Sequence, residues 1–245
     1  MRILHPKWFL LAVVLGTTPL WAADRTGALL DDYGDVKTTK ADKALKKEQD
    51  DILKMLNAGN KRHAANMVHG KDPRIMVVSC ADSHVTPETV FHTQPGDLFV
   101  NRAFGNVVDK VVLASLEYGA TNLNCCVLVV MGHTDCTAVK GAMDEHANPR
   151  TEDQWGSLNQ KALYERIEPA VSEIEAVRTT QEAQTGKPLE GADLIEAVVK
   201  TNVLNTMHDI RQKSPILWGL ERTDKLRIVG CVYHKDSGKV EWIKE

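Results

Sequence analysis

The sequence has little net charge and no repetitive segment. Its formal net charge at pH 7 is −3 over 245 residues, which gives no basis for nucleic acid binding. The absence of internal repeats and low-complexity tracts excludes solenoid and fibrous classes. With 43% hydrophobic and 26% charged residues, the composition is that of an ordinary globular protein. The chain is long enough to bury a sizeable core.

Cysteine is scarce and unevenly placed. The five cysteines are Cys80, Cys125, Cys126, Cys136 and Cys231. An odd number without a regular framework excludes a small scaffold held together by disulfides. Cys125, Cys126 and Cys231 lie inside apolar runs and are predicted to be buried small hydrophobic residues. Cys80 and Cys136 stand beside polar residues at the ends of apolar runs, which makes them candidates for chemistry.

The first 23 residues have the order of an export signal. Arg2 and Lys7 precede the apolar run 8–15, and small residues follow at 22–23. That run is too short to form a permanent membrane-spanning helix. We therefore expect residues 1–23 to be a cleaved signal peptide and the mature protein to be periplasmic or secreted, with no stable membrane span after processing. An uncleaved membrane anchor is the alternative.

Apolar runs alternate with amphipathic segments along the rest of the chain. Buried strands are predicted where the runs are short and nearly continuous, at 74–80, 97–105, 125–132 and 225–234. An alternating edge strand is predicted at 239–245. Helices are predicted at 40–65, 107–120, 134–146, 154–179 and 189–213. The alternation is typical of an α/β fold with a mostly parallel sheet. We expect one domain over 24–245, with an N-terminal helical arm at 24–70.

Metal-binding residue types follow two of the predicted strands. Cys80 and Asp82 follow the first strand, and His133 and Cys136 follow the third. In a parallel sheet, ligands bind beyond the carboxyl ends of the strands, so both segments deliver side chains to the same edge. Zinc takes thiolate and imidazole ligands in a tetrahedral shell, and a catalytic site keeps one position open. The residues thus indicate a Cys₂His zinc site beside Asp82. Buried thiols next to an unrelated surface histidine are the alternative.

Four segments, in order and at the proper spacing, resemble the β-class carbonic anhydrases: CADSHVTPETVF, QPGDLFVNRAFGNVV, SLEYGA and VMGHTDCTAVKGAM. The resemblance runs from about Arg74 to the end of the chain. It implies four parallel strands plus an antiparallel edge strand, helices on both faces, and a homodimer or tetramer. It also implies a Zn²⁺ cofactor held by Cys80, His133 and Cys136. The implied reaction is the reversible hydration of carbon dioxide to bicarbonate by a zinc-bound hydroxide.

The sequence departs from the family beside the metal. In the family, an aspartate accepts a hydrogen bond from the zinc-bound water, and an arginine two residues later clamps that aspartate away from the metal. Asp82 and His84 stand at these two catalytic positions. Histidine offers one bond per ring nitrogen, whereas arginine holds a carboxylate with a two-pronged fork. We therefore expect Asp82 to be a conditional fourth zinc ligand and carbon dioxide hydration to be slowed. The alternative is that His84 provides a one-pronged substitute.

The resemblance also assigns a substrate pocket. Phe99 and Tyr118 match pocket residues of the family, whereas Thr137 replaces a glycine and Lys71 replaces a glutamine of plant-type members. A threonine at that position is expected to reduce the space available to substrate. The altered pocket leaves two alternative functions open. One is a zinc-bearing, non-catalytic module that binds an anion. The other is a hydrolase of a related small electrophile, such as carbonyl sulfide or carbon disulfide.

Overall fold

The computed structural model describes residues 40–65 and 72–244. The chain divides into two compact units, Met1–Met67 and Val68–Glu245. The predicted signal peptide and the arm residues at 24–39 and 66–70 lie outside the described residues. Lys71 lies outside them as well.

The first unit contributes one long helix, α1, at Lys40–Ala65. Asp51 lies 2.8 Å from Lys47 and 3.1 Å from Lys54, so ion pairs join adjacent turns of the helix. Pairs at this spacing stabilise a helix by about 0.2–0.5 kcal/mol each. The helix predicted at 40–65 is confirmed.

The second unit is built on a five-stranded sheet. Its strands are β1 Ile75–Ser79, β2 Leu98–Arg102, β3 Val127–His133, β4 Arg227–His234 and β5 Lys239–Trp242. The strand order is β2-β1-β3-β4-β5. The first four strands run parallel, and β5 pairs antiparallel with β4. The predicted sheet, with its antiparallel edge strand, is confirmed.

Helices connect the strands of this unit. They are α2 Pro87–Val90, α3 Lys110–Thr121, α4 Thr137–Ala147, α5 Leu158–Thr185, α6 Gly191–Lys213 and α7 Pro215–Arg222. Short 3₁₀ turns lie at Phe104–Asn106 and Glu152–Gln154. No helix in the described ranges is both long and apolar enough to cross a membrane. The sequence analysis did not predict α7, which begins after Ser214, whose hydroxyl accepts a hydrogen bond from the Leu217 amide.

Both faces of the sheet are buried, which explains why its central strands are continuously apolar. Met76 and Leu128 belong to a cluster formed with residues of α3, α6 and α7. On the opposite face, Val77 and Met131 pack with Val85 and with residues in and next to α2. The predicted helices on both faces are therefore present, although the face of Val77 and Met131 is covered only by the short helix α2 in the described ranges.

Candidate metal centre

The carboxyl ends of β1 and β3 lie side by side and present three metal-binding residues. Ser79 of β1 pairs with Met131 of β3, so the residues that follow each strand emerge at one edge. Cys80, His133 and Cys136 each offer a ligand atom, and these atoms all lie within 4.8 Å of one another. All three residues are buried, with exposed fractions of 0%, 0% and 1%. The structure therefore brings together the three residues singled out in the sequence.

The ring of His133 is oriented to bind a metal. Its Nδ1 lies 2.9 Å from the carbonyl oxygen of Thr134, which can only accept a hydrogen bond. Nδ1 therefore carries the ring proton, which leaves a lone pair on Nε2. Nε2 is buried and has no hydrogen-bond partner among the described residues. A bare imidazole nitrogen facing two thiols is the arrangement that a zinc ion requires.

Cys80 is held in a setting that favours the thiolate. Its pKa is lowered to about 4, chiefly by a hydrogen bond from the Cys136 thiol and further by the amides of Gly105 and Asp82. The Gly105 amide donates to Cys80 Sγ at 3.2 Å and the Asp82 amide at 3.4 Å. The same thiol–thiol bond raises the pKa of Cys136. The amides of Ala138 and Val139, at the start of α4, have the opposite effect and lower it. The site thus favours the thiolate at Cys80, the form in which cysteine binds a metal, and metal binding would also remove the proton of Cys136.

The turn at Phe104–Asn106 fits around Cys80 because Gly105 has no side chain. Gly105 has a φ of +77°, and a Cβ there would lie 2.7 Å from Cδ1 of Ile167. The Asn202 amide group on α6 donates to the Gly105 carbonyl at 2.9 Å. Sequence reasoning missed this contribution, since nothing local to Gly105 shows that its amide faces Cys80.

Asp82 is held at one oxygen by His84. The His84 amide lies 2.9 Å from Asp82 Oδ1, and the His84 ring Nδ1 lies 3.2 Å from the same oxygen. The other oxygen, Oδ2, lies 3.9 Å from Nε2 of His133. The amide hydrogen bond is the largest influence on the pKa of Asp82 and lowers it, so the carboxylate is ionised at neutral pH. The His84 ring thus makes a single contact with Asp82, and its role as a one-pronged substitute for arginine stays a prediction.

Arg102 stabilises the backbone of this loop instead of the carboxylate. Its Nε donates to the Cys80 carbonyl at 3.0 Å, and its Nη2 lies 2.5 Å from the Asp82 carbonyl. The guanidinium is therefore engaged with main-chain oxygens, and it leaves the side chain of Asp82 to other partners.

Lys235 is a residue of this centre that the sequence analysis missed. Its Nζ lies 3.9 Å from Asp82 Oδ2 and 3.6 Å from Asp135 Oδ2. It follows β4, which neighbours β3, so its place at the same carboxyl edge could have been inferred once the strand order was known. The sequence alone gave no sign that this lysine approaches Asp82.

The predicted pocket residues lie at three separate places within one chain. Thr137 is the first residue of α4, directly after Cys136. Phe99 pairs with Met76, four residues before Cys80, which is about 13 Å along the strand at about 3.3 Å per residue. Tyr118 on α3 is 53% exposed. A common pocket for these three residues stays a prediction.

A second group of possible ligands has a different character. Glu196, His234 and Glu241 also bring ligand atoms within 4.8 Å of one another. The Lys200 ammonium lies 3.0 Å from a carboxylate oxygen of each glutamate, so both carboxylates already have a cation. This group is an ion-pair network, whereas the bare Nε2 of His133 has no hydrogen-bond partner in the part of the chain that the structure describes.

A buried Cys₂His group beside an ionised carboxylate, at the carboxyl edge of a parallel sheet, is typical of the metal centre of a zinc-dependent α/β enzyme. The sequence model of the family described as "Carbonic anhydrase" matches residues 75–240. The chain belongs to the carbonic anhydrase family, and within it to the β class.

Several relatives carry the carbonic anhydrase name. "Carbonic anhydrase 2" of Mycobacterium tuberculosis is 43% identical over 81 residues, which cover 33% of this chain and 39% of the relative. The carbonic anhydrase of Synechocystis is 29% identical over 180 residues, covering 70% of this chain and 60% of the relative. That of Pseudomonas aeruginosa is 31% identical over 179 residues, covering 69% and 72%. The chain thus spans less than two thirds of the length of the first two relatives.

Solved structures show the same fold. The β-carbonic anhydrase CcaA superposes with a TM-score of 0.60 at 22% identity, covering 83% of this chain and 92% of its own. A structure described among two tetrameric β-carbonic anhydrases from Sordaria macrospora gives a TM-score of 0.56 at 19% identity, covering 82% and 96%. At these identities the likeness is one of fold.

Proposed function

We propose that this protein catalyses the reversible hydration of carbon dioxide to bicarbonate, with a Zn²⁺ ion held by Cys80, His133 and Cys136. The observation that carries the proposal is the buried, unpartnered Nε2 of His133, which lies among two thiols and beside an ionised Asp82. Membership of the carbonic anhydrase family supports it. When bound, zinc would lower the pKa of a coordinated water and so supply a nucleophile near neutral pH.

The protein's own residues would prepare the site for that chemistry. Cys80 is already biased toward the thiolate, so the cost of deprotonating a ligand is reduced. The bond from His133 to the Thr134 carbonyl fixes the tautomer that can bind a metal. Asp82 keeps one oxygen on His84, and its second oxygen is available to accept a hydrogen bond on the metal side.

The direct test is stopped-flow measurement of carbon dioxide hydration by protein of known zinc content. We expect a rate that rises in proportion to bound zinc and disappears after treatment with a chelator. Zinc-loaded protein without carbon dioxide hydration would contradict the proposal. If that protein instead released sulfide from carbonyl sulfide or carbon disulfide, the hydrolase alternative would take its place.

His84→Arg is expected to raise kcat for carbon dioxide hydration about two- to threefold, because a guanidinium fork holds a carboxylate more strongly than one imidazole nitrogen does. The gain is small because the His84 amide, which any residue supplies, already binds Asp82 Oδ1. Stopped-flow kinetics at matched zinc content measure it. His208→Arg, the same change at an exposed position of α6, is the control and should leave kcat unchanged. Equal kcat values in wild type and His84→Arg would show that the histidine does not limit the site.

We further propose that the protein is exported and cleaved near residues 22–23, as the order of basic, apolar and small residues indicates. The intact mass of protein recovered from the periplasm of an expressing bacterium should lack the first 23 residues or a segment close to that length. Recovery of soluble protein that retains Met1 would contradict export by a cleaved signal.

A homodimer or tetramer also stays a proposal for this chain.

A further inference from the structure

The two oxygens of Asp82 have different partners. Oδ1 accepts the hydrogen bonds of His84, whose side chain is 81% exposed, so its ring contact competes with water. Oδ2 faces the buried Nε2 of His133 at 3.9 Å. The only ammonium within 4 Å of Oδ2 among the described residues is that of Lys235, also at 3.9 Å, and the Lys235 side chain is only 23% exposed.

Lys235 is held in place by the loop that carries two of the metal-binding residues. Its amide donates to Thr134 Oγ1 at 3.0 Å, and its Nζ donates to the Asp135 carbonyl at 3.3 Å. These bonds hold both the backbone amide and the ammonium group of Lys235 next to the segment that joins His133 to Cys136. The ammonium therefore does not need to be recruited from solvent to reach Asp82, and the entropy cost of ordering it is already met by other contacts.

We propose that Lys235 is the positioning residue that holds Asp82 Oδ2 in this protein, a role that the family resemblance would assign to an arginine at position 84. The proposal rests on the proposed carbonic anhydrase function. The ammonium attracts Oδ2 and so opposes its rotation toward His133. Without Lys235, the carboxylate would be held through Oδ1 alone, and Oδ2 could turn to occupy the position that substrate and anions need.

The surrounding charges offer a matched control. Asp135 binds Lys140 through one carboxylate oxygen and lies 3.6 Å from Lys235 through the other. Lys140 and Lys235 therefore share a partner, but of the two only Lys235 approaches Asp82. Lys140→Gln removes a neighbouring lysine charge without touching Asp82, whereas Lys235→Gln removes the contact itself.

The first measurement does not depend on turnover. Protein loaded with cobalt(II) in place of zinc is titrated with thiocyanate, and the visible absorption spectrum reports anion binding at the metal. We expect Lys235→Gln to bind one metal per chain, as wild type does, but to bind thiocyanate about tenfold more weakly, because the freed carboxylate competes for the same position. Lys140→Gln and Lys235→Arg should stay close to wild type. Unchanged thiocyanate affinity in Lys235→Gln would overturn the proposal.

The second measurement is a double-mutant cycle on carbon dioxide hydration. Lys235→Gln should lower kcat about tenfold with little change in KM, and adding His84→Arg should restore most of that loss by holding Asp82 from the other side. The gain from His84→Arg should therefore be larger in the Lys235→Gln background than in wild type. Equal gains in both backgrounds would contradict the proposal, as would a Lys235→Arg variant as slow as Lys235→Gln. If wild type hydrates no carbon dioxide, the proposed function fails, and the thiocyanate titration still decides the role of Lys235.

Discussion

Cys136→Ser is expected to reduce bound zinc from about one per chain to less than about a tenth, because a site with three protein ligands loses a whole bond. A serine hydroxyl does not replace a thiolate at neutral pH. The position is buried, at 1% exposure, so water cannot easily complete the shell in place of the lost sulfur. Elemental analysis by mass spectrometry after dialysis against a weak chelator measures the zinc content.

Cys126→Ser is the matched control for this loss. Cys126 lies directly before β3, and its Sγ donates to the Arg74 carbonyl at 3.7 Å. It belongs to none of the possible ligand groups found among the described residues. Zinc content in this variant should equal that of wild type. Full retention of zinc by Cys136→Ser would show that the metal, if bound, lies elsewhere.

Asp82→Asn is expected to lower kcat for carbon dioxide hydration at least about a hundredfold while zinc content stays constant. The amide matches the carboxylate in size, but it carries no charge and has a donating NH₂ group in place of one accepting oxygen. Loss of such a group typically costs 10²–10⁴ in rate, so about 10² is the lower bound. The lowered pKa of Asp82 indicates that the ionised form is the one present at neutral pH.

The control for this change is Asp109→Asn. Asp109 caps α3 by accepting the amides of Val111 and Val112, and asparagine caps a helix equally well. Asp109→Asn should leave kcat within about a factor of two of the wild-type value, because surface substitutions of this kind usually change free energies by less than about 0.5 kcal/mol. If Asp82→Asn were as fast as wild type or faster, Asp82 would act as an inhibitory metal ligand instead of a hydrogen-bond acceptor.

The sheet could be predicted from the sequence because its strands are buried on both faces. A strand that is buried on both faces, such as β3, is a continuous apolar run and is therefore easy to recognise. The glycine and histidine that end this run mark the end of the strand where the candidate ligands lie. The ligand set followed from the same rule, since the residues after β1 and β3 meet at one edge.

Helix boundaries were less accurate because single side chains decide them. The helix predicted to begin at 134 begins at Thr137, with Cys136 as its N-cap, and the helix predicted from 107 begins at Lys110, after the Asp109 cap. The missed helix α7 has Ser214 as its N-cap and Pro215 as its first residue, a pair that does indicate a helix start. Periodicity alone overlooked it, because only eight residues follow.

The contributions of Gly105 and Lys235 could not be predicted from local sequence. Each reaches the centre from an element distant in the chain, and each depends on a contact between backbone or side-chain atoms that only the folded sheet creates. His84 was predicted as a weakness of the site. The amide at position 84 binds Asp82 Oδ1 whatever the side chain, so the weakness concerns only the ring of His84 and stays a prediction.

The division of the proposed metal ligands between two strands would also affect folding. Cys80 and the segment from His133 to Cys136 are far apart in the chain, and they meet only after β1 has paired with β3. The unfolded chain therefore has no such site, and whatever free energy zinc binding releases stabilises the folded form alone. With free zinc at 100 times its dissociation constant, that contribution would be about 2.7 kcal/mol, a substantial fraction of the stability of a typical domain. Limited zinc supply would thus raise the fraction of unfolded chains as well as lower the number of active sites.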